Sequence, residues 1–378
     1  MRNLVWSGSF YENSGFGSVA REYVYWMQES GRFDVKINPV SYSLIDGKKY
    51  LEESEINYFQ NLEFTKKECN KYYDRIFVNH ITPDIAYIID KFKNNVLYTT
   101  WETDRIQDKA VERCNNFDLI LTPSEFSKFA FLNAGVNKPI EVIHHICILK
   151  KLNENKQLEE LTKNKFTFLS IFEWSLRKGY DILIESFIET FKNDPDVLLI
   201  IKTNSFTNIS QLKGEVVSYI KSVKKDLKYP SIYPICDFWK TNNFNSLYRY
   251  ANCYVSVARG EAFSLTLANS LINGLLCIAP SKGGHTEFLN DKNAILIPSE
   301  YADIINLEKE RSHYKGQKWI EVNKHYLMEA LKAVKEEWSN PDEEQILTLK
   351  QESEKVQKQL SPEVILNKFE DIFKKYCN

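Results

Sequence analysis

Short apolar runs alternate with amphipathic helical segments twice along this chain, and that rhythm constrains its fold more than any other feature. In the first stretch NLVWSG (3–8), FDVKINPV (33–40), DRIFVNH (74–80), NVLYTTWE (95–102), DLILTPS (118–124) and IEVIHHI (140–146) have the length and composition of strands. Among them, SVAREYVYWMQES (18–30) places its apolar residues on one helical face, and SEFSKFAFLNAG (124–135) carries a capping Ser124 and a terminating Gly135. Strands alternating with helices imply βαβ units built on a parallel sheet.

Residues 147–164, CILKKLNENKQLEELTKN, are charged and lack a strand pattern, so they read as a link between domains. The alternation then restarts. FTFLSIF (166–172), VLLIIKTN (197–204), SIYPIC, CYVSVA, LCIAPS (276–281) and AILIPS (294–299) are expected strands. GYDILIESFIETFK (179–192), GEVVSYIKSVKKDL, FNSLYRYAN and the segment after residue 264 are expected helices, and the tail from about residue 319 reads as helical and charged. A chain of 378 residues is also long for one hydrophobic core. The expected fold is α/β, with two Rossmann-like doubly wound domains facing each other across a cleft and ligands at the carboxyl ends of the strands.

Composition removes several classes of function. The net charge of −2, with both signs interspersed, gives no footprint for nucleic acid. Seven cysteines without a CxxC pair imply reduced thiols rather than a disulfide framework or a zinc site. No signal-peptide pattern or membrane span is visible, so a soluble, cytoplasmic protein is expected. The basic segment YIKSVKKDLKY (219–229) reads as a solvated helix face in preference to a peripheral contact with the inner face of a membrane.

Four loops carry chemistry. GFGSVA (15–20) fits the G-x-G-x-x-A form of the dinucleotide fingerprint, but Asp34 begins its strand instead of ending it, so no acid is placed for a ribose. A nicotinamide cofactor is therefore disfavoured. Gly15 and Gly17 remain as a loop that lets backbone amides approach a ligand, or as a tight turn with none. SIFEWSLRKGYDILIESF sets Glu173, Arg177 and Lys178 between a strand and a helix, where cations suit a phosphate at the helix start. In VARGEAFSLTLANSLINGLLCIAP (257–280), Glu261 offers acceptor oxygens just ahead of the amides of Ala262 to Thr266. A carboxylate beside an amide nest suits a ligand joining hydroxyls to a phosphate, such as a nucleotide sugar. SKGGHTEFL (281–289) brings His285, Thr286 and Glu287 to the same edge.

Other signals are read as ordinary structure. Asp194-Pro195-Asp196 spells D-x-D but lies between a helix and an apolar strand, where a turn explains it. His80, His144 and His145 lack metal-ligand spacing, and neither a G-x-S-x-G elbow nor a P-loop occurs.

These motifs together resemble a known family. RGEAFSLTLANSLINGLLCIAPSKGGHTEFL resembles the nucleotide-binding region of the family 4-like retaining glycosyltransferases of the GT-B fold, the glycosyl transferases group 1. FLSIFEWSLRKGYDILIESF and SGFGSVARE resemble that family's basic loop and N-terminal glycine loop, and WETDRI with DLILTPSEFSKFAFLNAGV resembles a subset of it. The resemblance implies an acceptor-side domain over 1–150, a donor-binding domain over 151–355 and a last helix, 356–378, that crosses back to the first. It implies that Glu261 contacts donor-sugar hydroxyls, that Phe263, Ser264, Leu265 and Thr266 hold the diphosphate through their amides, and that Lys178 neutralises it. Gly15 and Gly17 would approach the phosphate. No metal and no cofactor are implied beyond the nucleotide-sugar co-substrate, with a glycan or glycoconjugate as acceptor.

Three positions depart from the family pattern. Asn269 stands where a second acid holds the ribose, Glu173 where the basic-loop arginine stands, leaving Arg177 as its substitute, and Trp101 where many members place a histidine near the reacting carbon. Glu102 and His80 are then the acceptor-side candidates. The same departures favour the rival expectation of a non-catalytic relative that binds a glycan or supports a transferase.

Overall fold

The computed structural model describes residues 2–41, 47–65, 75–205, 209–237, 239–304 and 312–377. The chain divides into two compact units, Met1–Cys147 with Lys358–Asn378, and Ile148–Gln357.

In the first unit, β1 (Arg2–Gly8), β2 (Phe33–Pro39), β3 (Ile76–His80), β4 (Asn94–Tyr98), β5 (Leu119–Thr122) and β6 (Ile140–Val142) form one sheet in the order β2-β1-β3-β4-β5-β6. Every neighbouring pair is parallel. The helices are α1 (Gly15–Glu29), α2 (Glu53–Gln60), α3 (Asp108–Cys114) and α4 (Glu125–Asn133). Ser14 caps α1 by accepting the Gly17 amide at 3.1 Å, and Ser124 caps α4 by accepting that of Ser127 at 3.0 Å. The expected strand NVLYTTWE ends at Tyr98, so Trp101 and Glu102 lie beyond the sheet edge. The C-terminal helix, Pro362–Tyr376, also belongs to this unit. Its Phe369 ring lies 5.1 Å from Tyr23 and 6.0 Å from Trp6, and the Arg2 guanidinium donates to its Phe373 carbonyl at 3.0 Å.

The second unit has β7 (Phe166–Glu173), β8 (Val197–Asn204), β9 (Ser231–Ile235), β10 (Cys253–Val255), β11 (Leu276–Pro280) and β12 (Ala294–Ile297), ordered β12-β11-β10-β7-β8-β9 and again parallel throughout. Its helices are α5 (Lys156–Thr162), α6 (Tyr180–Thr190), α7 (Ile209–Lys224), α8 (Thr241–Arg249), α9 (Leu265–Ile272), α10 (Lys324–Trp338) and α11 (Glu343–Gln359). β8 is buried from Val197 to Thr203 because strands and helices cover it on all sides. The charged link is partly ordered as α5, capped by Asn155 and holding Leu158 in the core.

One expectation is corrected here. The tail does not turn helical at residue 319, because Lys318–Val322 forms β14, paired antiparallel with β13 (Ser299–Asp303), and α10 begins only at Lys324. Trp319, Ile320 and Val322 are buried, which favours a strand over a charged surface helix. The six described cysteines are unpaired and buried; Cys69 lies outside the described residues. No described helix is long and apolar enough to cross a membrane.

Candidate functional site

In the second unit the strand order reverses between β7 and β10, and loops leaving the carboxyl ends of such strands form the usual ligand crevice. The loop after β7 tightens into a turn at Leu176–Lys178 and reaches Gly179, whose φ of 72° is left-handed. A Cβ on Gly179 would lie 2.3 Å from the Val257 carbonyl oxygen, so glycine is what lets this loop touch the one following β10. Across that approach Lys178 Nζ donates to Glu261 Oε1 at 2.6 Å, with each side chain 14% exposed. Charge and acceptor oxygens thus meet in one spot.

Arg177 faces the other way. It is buried, its Nη1 donates to the Gly260 carbonyl at 2.7 Å and its Nη2 lies 3.9 Å from Glu173. The cation expected beside Lys178 therefore braces the two loops from within. Glu173 joins it there instead of facing a ligand alone.

A third loop closes on the same acid, since the Gly284 amide donates to the Glu261 carbonyl at 2.8 Å. A Cβ on Gly284 would fall 1.9 Å from the Ala262 oxygen. His285, fully buried, donates from Nε2 to the Pro280 carbonyl at 2.6 Å, which leaves Nδ1 as a buried lone pair without a partner among the described residues. Burial holds its pKa below the ordinary histidine value.

Beyond Glu261, Phe263 and Ser264 are buried, and the Phe263 ring lies 5.1 Å from Phe288. Ser264 enters α9 with φ 72°, and its side chain does not cap the helix. The first-turn amides, including those of Leu265 and Thr266, have no acceptor within the helix and point out of its start. One turn on, Asn269 is half-buried; its carbonyl accepts from the Asn273 side chain at 2.7 Å, and its own amide makes no hydrogen bond among the described residues.

Two cations escaped the sequence reading. Arg259 is buried with its guanidinium on Leu176, Asp181 and Glu321. Lys202, buried near the end of β8, donates to the Thr203 carbonyl at 3.2 Å, and burial pushes its ammonium down to about 8. A basic residue inside an apolar run was the only available sign of it.

The remaining candidates lie in the first unit. Gly15 faces open space, whereas a Cβ on Gly17 would meet the Glu12 carbonyl oxygen at 2.4 Å, so both sit in the first turn of α1 and the second is required by packing. His80 ends β3, fully buried, with Nδ1 accepting from Trp6 Nε1 at 3.3 Å and its ring 5.3 Å from Phe16. Burial pulls its pKa down to about 3. Trp101 is buried and its amide donates to Ser127 Oγ at 2.8 Å, while Glu102 beside it is half-buried. The D-x-D is a turn: Asp194 Oδ1 accepts the Asp196 amide at 2.9 Å. Among the described residues no group of three or more His, Cys, Asp or Glu side chains is placed to hold a metal ion.

Two doubly wound parallel sheets, with a cation and a carboxylate joined at the reversal point of the second, define a protein of the GT-B fold. Residues 151–310 match the model for the family described as glycosyl transferases group 1. HepE from Anabaena, solved with UDP-glucose, is 12% identical with a TM-score of 0.69, covering 99% of this chain and 100% of its own. A UDP-forming α,α-trehalose-phosphate synthase from Burkholderia xenovorans is 10% identical with a TM-score of 0.67, covering 100% and 99%. The pneumococcal O-GlcNAc transferase GtfA, solved with UDP and GlcNAc, is 14% identical with a TM-score of 0.55, covering 86% of this chain and 60% of its own. No curated protein matches the chain.

Proposed function

We propose that this chain is a retaining glycosyltransferase that moves a sugar from a nucleotide-diphosphate-sugar to a hydroxyl of a glycan, lipid-linked or protein-linked acceptor. The observation that carries this is the 2.6 Å approach of Lys178 to Glu261 ahead of the uncapped start of α9. In the reaction the anomeric carbon loses its bond to the diphosphate and gains one to the acceptor oxygen, and the acceptor's proton passes to Glu102 and from it to solvent. Lys178 and the first-turn amides of α9 stabilise the charge that grows on the departing diphosphate. Glu261 accepts hydrogen bonds from the sugar hydroxyls, and Asn269 takes the ribose hydroxyls through its amide. No resident metal is needed, because the ammonium and the helix start supply the positive field.

Gly15 and Gly17 line the acceptor side and approach the donor's phosphate, and His80, Trp101 and Glu102 serve the acceptor. His80, kept neutral by burial, is a hydrogen-bonding group there and not a proton acceptor, which leaves Glu102 for that task. The family match over the second unit, and neighbours solved with UDP, UDP-glucose or GlcNAc, support uridine nucleotides as the first donors to try. The test is nucleoside-diphosphate release from a panel of UDP-, GDP- and ADP-sugars. Release that disappears in Lys178→Ala and Glu261→Ala supports the proposal, and a protein that binds no nucleotide at all overturns it.

A further inference from the structure

Lys178 and Glu261 leave two different loops, so their separation has to be set by whatever ties those loops together. Arg259, two residues before Glu261, ties them at several points. Its amide donates to the Arg177 carbonyl at 2.7 Å, joining the loop after β10 to the turn that carries Lys178. Its Nη1 donates to the Leu176 carbonyl at 2.7 Å and to Asp181 Oδ1 at 2.7 Å, and Nη2 donates to Asp181 Oδ2 at 2.8 Å, which adds the first turn of α6.

Arg259 is itself held from outside both loops. Its Nε donates to Glu321 Oε2 at 2.8 Å, its carbonyl accepts the Ile320 amide at 2.7 Å and its guanidinium carbon lies 5.2 Å from the centre of the Trp319 ring. All three partners belong to β14. The Arg259 side chain is only 5% exposed, and although burial opposes its charge, the carboxylates of Asp181 and Glu321 hold its pKa above the ordinary arginine value. Planar, bidentate geometry of this kind is specific to arginine; a lysine ammonium cannot span three partners in one plane.

We propose that Arg259 is the positioning residue of this site and that Glu321 anchors it: β14 sets the Arg259 guanidinium, and the guanidinium sets the distance between Lys178 and Glu261. Neither Arg259 nor Glu321 touches the donor. The effect on donor binding rests on the function proposed above, whereas the effect on the Lys178–Glu261 pair does not.

The experiment is a double-mutant cycle with Lys178→Met and Glu261→Gln, measured by urea unfolding in three backgrounds: unaltered, Arg259→Lys and Glu321→Gln. Affinity for UDP, GDP and ADP is measured by calorimetry on the same full-length proteins. Coupling of about fivefold in the unfolding equilibrium is expected in the unaltered chain, falling below about twofold with Arg259→Lys and to an intermediate value with Glu321→Gln. Nucleotide affinity is expected to fall about tenfold or more with Arg259→Lys. Undiminished coupling in both backgrounds overturns the proposal. So does a loss of affinity with coupling intact, which would make Arg259 a ligand contact. If Arg259→Lys fails to fold, Glu321→Gln, whose carboxylate is one-third exposed, decides on the same two readouts. A chain that binds none of the three nucleotides refutes the proposed function, and the coupling measurement still decides the role of Arg259.

Discussion

Lys178 Nζ stands 2.6 Å from Glu261 Oε1 although 83 residues separate them in sequence. Removing either partner has a different consequence for the proposed reaction. Lys178→Ala takes away a charge that matters most as the diphosphate departs, so kcat is expected to fall by about 10²–10³ with little change in KM. Glu261→Ala takes away hydroxyl contacts made before and during transfer, so KM for the donor is expected to rise as well. Steady-state rates of nucleoside-diphosphate release separate the two, and equal, purely KM-based losses would contradict these roles.

Glycines at the two loops differ sharply in what surrounds them. Gly284→Ala would drive a Cβ to 1.9 Å from the Ala262 oxygen, and Gly17→Ala one to 2.4 Å from the Glu12 oxygen. Both are backbone atoms and cannot swing aside, so each substitution is expected to cost more than about 2 kcal/mol. Gly15→Ala meets nothing within 4 Å and lies in the first turn of α1, so it is expected to be neutral or to stabilise by up to about 1 kcal/mol. Thermal melts of the three variants check this; a Gly15→Ala variant that melts normally yet loses nucleotide binding would show that Gly15 must admit a ligand.

The contrast between Gly15 and Gly17 also shows how far the sequence reaches. Parallel strands are legible because burial on both faces makes them continuous apolar runs, and all twelve strands of the two large sheets fall on such runs. β14 was hidden because KWIEV stands at the edge of a charged tail and becomes a strand only through its pairing with β13. Lys178 and Glu261 could be singled out from their loops, since a cation before a helix and an acid before another each suggest a ligand. Nothing local distinguishes Arg177 from Lys178. That one turns inward to Gly260 and the other outward to Glu261 depends on loops 83 residues apart. Arg259 was overlooked for the same reason, as its carboxylate partners come from α6 and β14.

Lys202 predicts a pH dependence of stability. Burial lowers its pKa from 10.5 to about 8 in the folded chain, so between those values the unfolded state binds more protons than the folded one. Stability is therefore expected to rise as pH increases from about 8 to about 10.5, with the full penalty present below pH 8. Lys202→Met removes a cost of at most about 3 kcal/mol at neutral pH. Urea unfolding across this range should show a gain at pH 7 that shrinks towards pH 10; a variant no more stable than the parent at pH 7 would mean that the ammonium is satisfied.

His80 behaves in the opposite part of the pH range. Trp6 Nε1 donates to its Nδ1, so the proton of the neutral ring sits on Nε2, and burial lowers the pKa from 6.5 to about 3. Because the folded value is the lower one, the neutral ring supports the fold fully above the unfolded pKa, and that support is lost as pH falls from 6.5 towards 3. Nitrogen chemical shifts of the His80 ring are expected to show the Nε2-protonated tautomer unchanged down to about pH 5. An acidic limb in the rate of sugar transfer should then be unmoved by His80→Asn, because His80 does not titrate there, and should move with Glu102→Gln if Glu102 accepts the acceptor's proton. A His80 signal that titrates near pH 6 would place a solvated, protonatable imidazole at the end of β3 and return the proton-accepting role to it.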